Sequence, residues 1–386
     1  MVDFQYYNPA KIVFGQGSEK ELPRLLQEAK ATSLLMVYSG AFIKELGIYD
    51  RVKEACCAGN VAFCENGSVV PNPSIALVRE LVDLGREKGV DFVLAVGGGS
   101  AIDTAKAIAL GIPYDGDVWD FFYKGVQPEK VLPVGVITTL PASGSETSNA
   151  AILSNGPWKL GFEDDRIIPQ FAIMNPRYTL GLPPYQTSCG VADILSHLLE
   201  RYFTDVRHTD VTDYLIEGAV QALLLNGERL MKNPDDLDAR AEIQWLASVA
   251  HNNLLDTGRI GDWGSHRIEH ELSAQYGITH GEGMAVVLVA WTRYMAKVKP
   301  WKLAQLAVRV FHVDPYGYTE EEQAEILSEK LREYFVSLHL KTTLTELGIG
   351  PEHFGEMAAR ATRNGPVGHY VPLDPERFQV ILRLAL

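Results

Sequence analysis

The sequence predicts two domains of different classes, an α/β domain over residues 1–183 and an all-helical domain over residues 184–386. Three observations support this prediction. Short apolar segments alternate with helical patterns in the first half, strand signals stop in the second half, and the Pro183-Pro184 pair lies between the halves. Because proline ends one element and can open the next helix, this pair marks the boundary.

The first half is typical of a parallel sheet with crossover helices. Apolar, strand-like segments cover residues 33–38, 60–64, 91–96 and 132–138, and a helical pattern over residues 75–88 leads into the third of them. Strands that alternate with helices of this length indicate βαβ units. We therefore expect a mostly parallel sheet.

The second half is typical of a helical domain. Long helical patterns cover residues 186–203, 212–231, 239–255, 266–276, 284–298 and 320–338. Thr319 and Glu322 have the spacing of a capping box, which predicts that the last of these helices begins there.

Composition excludes several classes of protein. The chain has 386 residues, 46% of them hydrophobic, and a formal net charge of −14, so neither disorder nor binding to a phosphate backbone is expected. No apolar run approaches the ~20 residues that cross a bilayer, and the first residues lack the pattern of a secretory signal. A cytoplasmic location is the expectation. The four cysteines form no C-x-x-C pair, which predicts incidental thiols rather than a zinc cluster.

Two polar turns follow neighbouring strands of the predicted sheet. The first contains Gly98, Gly99 and Ser100 and opens a helix, where glycines and backbone amides suit a phosphate group. Asp103 either caps this helix or reaches a bound ligand, and capping is the simpler interpretation. The second turn covers residues 138–147 and is rich in hydroxyl groups. Together the turns favour a nucleotide-binding crevice over two ordinary loops.

Aspartate and histidine residues concentrate in two helical segments of the second half. Asp193 and His197 are four residues apart among apolar neighbours, so they share one face of a buried helix. His266, His270 and His280 follow within fifteen residues. A carboxylate with two or three imidazoles suits zinc or iron(II). The pattern leaves open metal-assisted nicotinamide chemistry and metal-dependent hydrolysis of a phosphorylated substrate.

Several longer motifs occur in a fixed order along the chain. They cover residues 4–9, 12–15, 71–73, 95–106, 139–146, 182–186, 190–197, 261–272 and 279–281. In these motifs the chain resembles the iron-containing (group III) alcohol dehydrogenases, most closely their NADPH-dependent butanol dehydrogenase or aldehyde reductase branch.

The resemblance implies a Rossmann-like (dehydroquinate synthase-like) N-terminal domain, a helical C-terminal domain and an active site in the cleft between them. It implies hydride transfer between NAD(P)H and a primary alcohol or aldehyde such as butanol or butanal, a metal that is iron(II) or zinc, and a homodimer. By matching positions, it implies that the metal ligands are Asp193, His197, His266 and His280. His270 is implied to relay a proton.

The resemblance also implies cofactor contacts. Gly98, Gly99 and Ser100 would hold the pyrophosphate, and further contacts would come from Thr139, Ser145, Lys159 and Tyr178. Residues 155–161 are expected to form a loop around Lys159. At the end of the first predicted strand, Ser39 and Gly40 replace the acidic residue typical of an NAD site, and Lys44 follows. NADP(H) is therefore favoured over NAD(H).

Other interpretations are weaker. A sugar-phosphate dehydrogenase of the glycerol-1-phosphate type needs a basic pocket, and the metal segments offer only Arg267, which Glu269 is expected to offset. A metal-dependent hydrolase would need no redox cofactor. A non-catalytic metal-binding homologue is disfavoured because the four ligand positions are intact.

Overall fold

The computed structural model describes residues 1–386, which divide into two compact units. One unit is Tyr7–Leu182, and the other is Pro183–Leu386 together with Met1–Tyr6. The N-terminal ammonium donates to the carbonyl of Arg207 at 2.7 Å, and the Val2 amide donates to the carbonyl of Gly258 at 3.0 Å. The first six residues therefore belong with the helical unit, although the sequence pattern gives no sign of it.

The unit of Tyr7–Leu182 contains a six-stranded sheet in which every strand pair is parallel. Its strands, in spatial order, are β1 (Lys11–Phe14), β8 (Phe171–Met174), β5 (Val134–Thr138), β4 (Phe92–Gly97), β2 (Ser33–Tyr38) and β3 (Ala62–Asn66). The four predicted strands are β2 to β5, and the predicted parallel α/β fold is confirmed. Every residue of β2 and β4 is buried, as expected of a sheet covered on both faces.

Four strands were not predicted. β1 and β8 have only four residues each, too few for a clear periodic pattern. β6 (Ala150–Asn155) and β7 (Trp158–Glu163) form an antiparallel hairpin. The expectation of a loop around Lys159 is therefore wrong, because this segment satisfies its backbone groups as a hairpin that turns at Gly156 and Pro157.

Helices cover both faces of the sheet. They are α1 (Leu22–Glu28), α2 (Phe42–Glu45), α3 (Ile48–Gly59), α4 (Ile75–Glu87), α5 (Gly99–Gly111) and α6 (Trp119–Lys124). Side chains of α4 and α5 pack in the apolar cluster on one face, and those of α1 and α3 pack in the cluster on the other. Alternate residues of β2 point into the two clusters.

The second unit is helical, as predicted. Its helices are α7 (Pro184–Tyr202), α8 (Asp210–Lys232), α9 (Leu237–Ala250), α10 (Gly264–Tyr276), α11 (His280–Val298), α12 (Trp301–Arg309), α13 (Glu320–Ser337), α14 (Phe354–Ala361) and α15 (Pro375–Leu384). Both bonds of the predicted capping box at Thr319 and Glu322 are present. None of the helices in the chain combines the length and apolar character needed to cross a bilayer.

Candidate metal centre and nucleotide-binding edge

Three helices of the second unit bring together acidic and imidazole groups. Asp193 from α7, His266 from α10 and His280 from the first turn of α11 place ligand atoms within 4.8 Å of one another. Nε2 of His280 lies 3.4 Å from Oδ1 of Asp193. His197, the fourth predicted ligand, has its Nε2 3.8 Å from the same oxygen, and its ring stacks on that of His266 with 4.9 Å between centroids.

The cluster contains polar atoms that the protein itself does not satisfy. Oδ1 of Asp193 and Nε2 of His266 are buried and have no hydrogen-bond partner. Buried polar groups almost always have partners, because an unsatisfied one loses the free energy of hydration without replacement. An anionic oxygen beside an imidazole nitrogen is a donor set that a divalent cation satisfies. These residues therefore fit a metal ion.

The protonation states agree with this interpretation. Burial raises the pKa of the Asp193 carboxyl, but the imidazoles of His197 and His280 outweigh that effect and hold its pKa below the usual range. Burial lowers the pKa of His197 well below its usual value. At neutral pH the site therefore presents an ionised carboxylate and a neutral His197, which are the forms that bind metals.

Two buried glutamates contact the cluster, and neither was predicted as a site residue. Oε1 of Glu200 lies 3.0 Å from Nδ1 of His266, and the carboxylate of Glu269 contacts Nδ1 of His280. Glu269 is fully buried and contacts His280, whereas Arg267 is exposed, so the offset of the Arg267 charge by Glu269 stays a prediction. A signal for Glu200 exists in the sequence, because it follows Asp193 by seven residues and His197 by three and so shares their helix face.

Two more histidines border the cluster. His270, half-buried on α10, has its ring centroid 5.8 Å from that of His280 and 6.3 Å from that of His266. His251, at the C-terminal end of α9, has its ring centroid 4.5 Å from that of His197. No spacing in the sequence connects His251 with the other histidines, so sequence reasoning missed it.

The predicted nucleotide site lies where β2, β4 and β5 end. Parallel registers bring Ser39, Gly98 and Thr139, which follow these strands, to one edge of the sheet. The Thr139 amide donates to the carbonyl of Gly97 at 3.0 Å. Gly40, next to Ser39, has a φ of 77°, a backbone conformation that favours glycine.

The glycine-rich turn opens α5 without a side-chain cap. Gly98 is the N-cap residue, followed by Gly99 and Ser100 in the first turn. A Cβ atom at Gly99 would lie 2.6 Å from Oγ of Ser143. Contact with the second polar turn therefore requires glycine here even without a ligand.

Asp103 does not cap α5, and that interpretation is wrong. Its Oδ1 accepts from the Ser145 hydroxyl at 2.6 Å, and its Oδ2 accepts from the Ile152 amide at 3.0 Å. Lys106, which was not predicted, is fully buried beside it and donates to Oγ of Ser145 at 3.0 Å. Burial raises the pKa of Asp103 and lowers that of Lys106 to about 8.

The last two predicted cofactor residues lie in different surroundings. Lys159, on β7, is largely buried, and its charge acts to lower the pKa of Asp103. Tyr178 follows β8 and packs in the apolar cluster with α1 and α3, on the opposite face of the sheet from α5. The structure therefore groups Asp103, Ser145 and Lys159 and separates Tyr178 from them.

The cysteines form no centre of their own. All four thiols are free: Cys56 and Cys189 are buried, Cys64 is half-buried and Cys57 is exposed.

Comparison with known proteins covers nearly the whole chain. The model of the iron-containing alcohol dehydrogenase family matches residues 9–176, and that of the C-terminal region of the Fe-containing alcohol dehydrogenase family matches residues 187–386. The chain is 39% identical over 381 residues to NADH-dependent butanol dehydrogenase A of Clostridium acetobutylicum, with 97% of each chain covered. It is 32% identical over 386 residues to NADPH-dependent aldehyde reductase YqhD of Escherichia coli, with 98% of each covered.

A solved structure agrees with these matches. The crystal structure of NADH-dependent butanol dehydrogenase A from Thermotoga maritima is 33% identical, covers 99% of this chain and 98% of its own, and superposes with a TM-score of 0.95. The resemblance seen in the motifs is thus confirmed, and the chain belongs to the iron-containing alcohol dehydrogenase family of oxidoreductases.

Proposed function

We propose that the protein interconverts a primary alcohol and its aldehyde, such as butanol and butanal, with a divalent metal and a nicotinamide cofactor. The observation that carries the proposal is the buried Asp193–His266–His280 cluster, in which Oδ1 of Asp193 and Nε2 of His266 have no protein partner. The relatives named as butanol dehydrogenases and aldehyde reductase support the substrate class.

The residues that would hold the metal are Asp193, His197, His266 and His280. One carboxylate and three imidazoles suit iron(II) and zinc alike. A metal bound there supplies Lewis-acid polarisation of a carbonyl oxygen, and the cofactor supplies or accepts the hydride.

The protein buries most of the proposed ligands and places the Asp193 carboxylate among them. Asp193, His197 and His266 are each less than 10% exposed, so water screens the carboxylate charge only weakly. His280 is more accessible, with 28% of its side chain exposed. Since His270 is half-buried beside His280, we propose that His270 passes the proton between the reacting oxygen and solvent.

The proposed cofactor site is the sheet edge where β2, β4 and β5 end. Backbone amides around Gly98, Gly99 and Ser100, at the uncapped start of α5, would hold the pyrophosphate. Further proposed contacts come from Asp103, Thr139, Ser145, Lys159 and Tyr178. Of these, Asp103 and Ser145 already bond each other, so they would act by shaping the turn as much as by touching the cofactor.

We propose NADP(H) as the preferred cofactor. Ser39 and Gly40, which follow β2, offer no carboxylate to repel a 2′-phosphate, and Lys44 lies in the next helix with its Nζ 4.8 Å from the ring centre of Tyr49. Relatives are named as NADH-dependent and as NADPH-dependent, so the ratio of the two efficiencies is the quantity to measure. The homodimer stays a prediction, measurable as particle mass by light scattering.

The test is oxidation of NADPH and of NADH, followed at 340 nm with butanal. Metal is removed from the purified protein with a chelator. The protein is then assayed before and after addition of Fe(II) or Zn(II), with Asp193→Asn as the control variant. We expect turnover that returns with metal, higher kcat/KM for NADPH, and no recovery in the control. Failure to oxidise either cofactor with several aldehydes and both metals would overturn the proposal.

A further inference from the structure

Glu269 is a fully buried carboxylate that faces a proposed metal ligand. It contacts Nδ1 of His280, and its other oxygen accepts from the hydroxyl of Ser273, one helical turn further along α10. Nε2 of the same imidazole lies 3.4 Å from Oδ1 of Asp193. The ring of His280 is therefore held between a glutamate on one side and the metal-site carboxylate on the other.

Glu200 holds His266 in the same way and also holds the backbone around it. Its Oε1 lies 3.0 Å from Nδ1 of His266 and accepts from the His266 amide at 2.9 Å. Its Oε2 accepts from the Trp263 amide at 2.6 Å. Trp263, the N-cap residue of α10, has a φ of 64°, a conformation that bulky residues rarely adopt. A carboxylate from α7 thus satisfies the start of α10 in place of a local cap.

His197 has no such partner. Its Nδ1 is buried without a hydrogen bond, and its ring is in contact with the rings of His266 and His251, with centroid distances of 4.9 and 4.5 Å. The three histidines are therefore held by two different means: carboxylates fix two of them, and ring packing fixes the third.

We propose that Glu200 and Glu269 are positioning residues of the metal centre. An ionised carboxylate can only accept a hydrogen bond, so it keeps the proton of its histidine on Nδ1 and leaves the lone pair of Nε2 for the metal. It also fixes the angle of the ring and strengthens the imidazole as a ligand. The inference rests on the proposed function, because it assumes that a metal binds at Asp193, His266 and His280.

Cobalt(II) is the probe, since it has visible absorption that reports ligand geometry. The full-length protein, freed of metal with a chelator, is titrated with Co(II). The Kd for Co(II) and the absorption spectrum of the bound ion are compared for the wild type, Glu269→Gln and Glu269→Met. Glutamine keeps a hydrogen-bond acceptor without the charge, whereas methionine removes both. We expect Kd to rise about 10–100-fold for methionine, with a smaller rise for glutamine and an altered spectrum.

Two further variants separate positioning from general stability. Glu217→Gln changes a buried carboxylate of the same unit that bonds Tyr202 and Arg309 away from the cluster, and it should leave the Kd for Co(II) unchanged. Glu200→Gln should weaken Co(II) binding as Glu269→Gln does. If the loss of the bonds from the Trp263 and His266 amides prevents this variant from folding, the two Glu269 variants still test the proposal. The melting temperature of each metal-free variant is measured in parallel.

The outcomes separate a failure of the positioning role from a failure of metal binding itself. If the wild type binds one Co(II) and both Glu269 variants match its Kd and spectrum, the positioning role is overturned, even where melting temperatures fall. If the wild type binds no Co(II), the proposed function and this inference fail together.

Discussion

The two units each bury a cluster of charged groups, and the clusters differ in how completely the protein satisfies them. In the α/β unit, Nζ of Lys106 bonds Oγ of Ser145 and the carbonyls of Ser148 and Ala150 at 2.8–3.0 Å, and both oxygens of Asp103 accept hydrogen bonds. In the helical unit, Oδ1 of Asp193 and Nε2 of His266 accept none.

Hydrogen-bond satisfaction distinguishes a structural cluster from a candidate binding site. Burial and charge are common to both clusters, so neither property alone identifies a binding site. A saturated cluster stabilises its own fold, whereas an unsaturated one requires a further partner. On this view, the Lys106 cluster supports the turn of residues 143–150, and we propose that the Asp193 cluster binds a cation.

Removing a proposed ligand should have the largest effect. His266→Ala is expected to lower kcat about a thousandfold or more and to abolish metal retention, because the polarising charge is lost. Cofactor affinity should match the wild type, since His266 lies in the helical unit. Metal analysis, kcat and NADPH fluorescence titration measure the three quantities. Full activity in a metal-depleted His266→Ala protein would refute the ligand assignment.

Breaking the saturated cluster should lower stability instead. Lys106→Met takes the buried Lys106 charge away from the Asp103 carboxylate, which is expected to cost about 3–5 kcal/mol in the free energy of unfolding. Metal content should not change. Urea unfolding measures the loss, and Lys106→Met combined with Asp103→Asn should recover part of it, because the Asp103 charge is then removed together with that of Lys106. Unchanged stability of the single variant would show that the cluster is not structural.

A smaller effect is expected at the end of β2. Ser39→Asp places a carboxylate where we propose the 2′-phosphate, and it should lower kcat/KM for NADPH about 10–100-fold, or ~1.4–2.7 kcal/mol. The efficiency with NADH should change much less. Steady-state kinetics with both cofactors give the ratio, and Ser39→Ala serves as the uncharged control. An equal loss with both cofactors would place the phosphate elsewhere.

The smallest effect should come from a residue outside both clusters. Thr319→Ala removes the capping box of α13 and should cost about 1 kcal/mol of stability. Metal content and both cofactor affinities should stay at wild-type levels. Thermal unfolding checks the first expectation, and a change in metal content would show that stability and metal binding are not separable in the helical unit.

The sequence predicted the elements whose pattern is long or strongly apolar. Residues 33–38 match β2, and Thr319 correctly marks the start of α13. The four-residue strands β1 and β8 were missed, because so short a segment carries no periodicity. The hairpin of β6 and β7 was missed because its turn, Gly156-Pro157, also suits a loop.

The candidate site also contains residues that the sequence indicated and residues that only the structure shows. Asp193, His197, His266, His270 and His280 could be singled out because histidines are few and these lie in two short segments, whereas the choice of four ligands among the five came from the family resemblance. Glu200 and Glu269 are ordinary helical residues by composition, and only tertiary contacts show which histidine each one holds. Asp103 was interpreted as a cap because local spacing favours nearby partners, whereas its actual partners, Ser145 and Ile152, are distant in sequence.

Metal binding by Asp193 and the three histidines can be tested by anomalous X-ray scattering from crystals of the protein grown with Fe(II) or Zn(II), measured on both sides of the metal absorption edge. We expect one anomalous peak per chain, bonded by Asp193 and by nitrogens of His197, His266 and His280. A peak elsewhere, or no peak from a protein that oxidises NADPH with butanal, would contradict it.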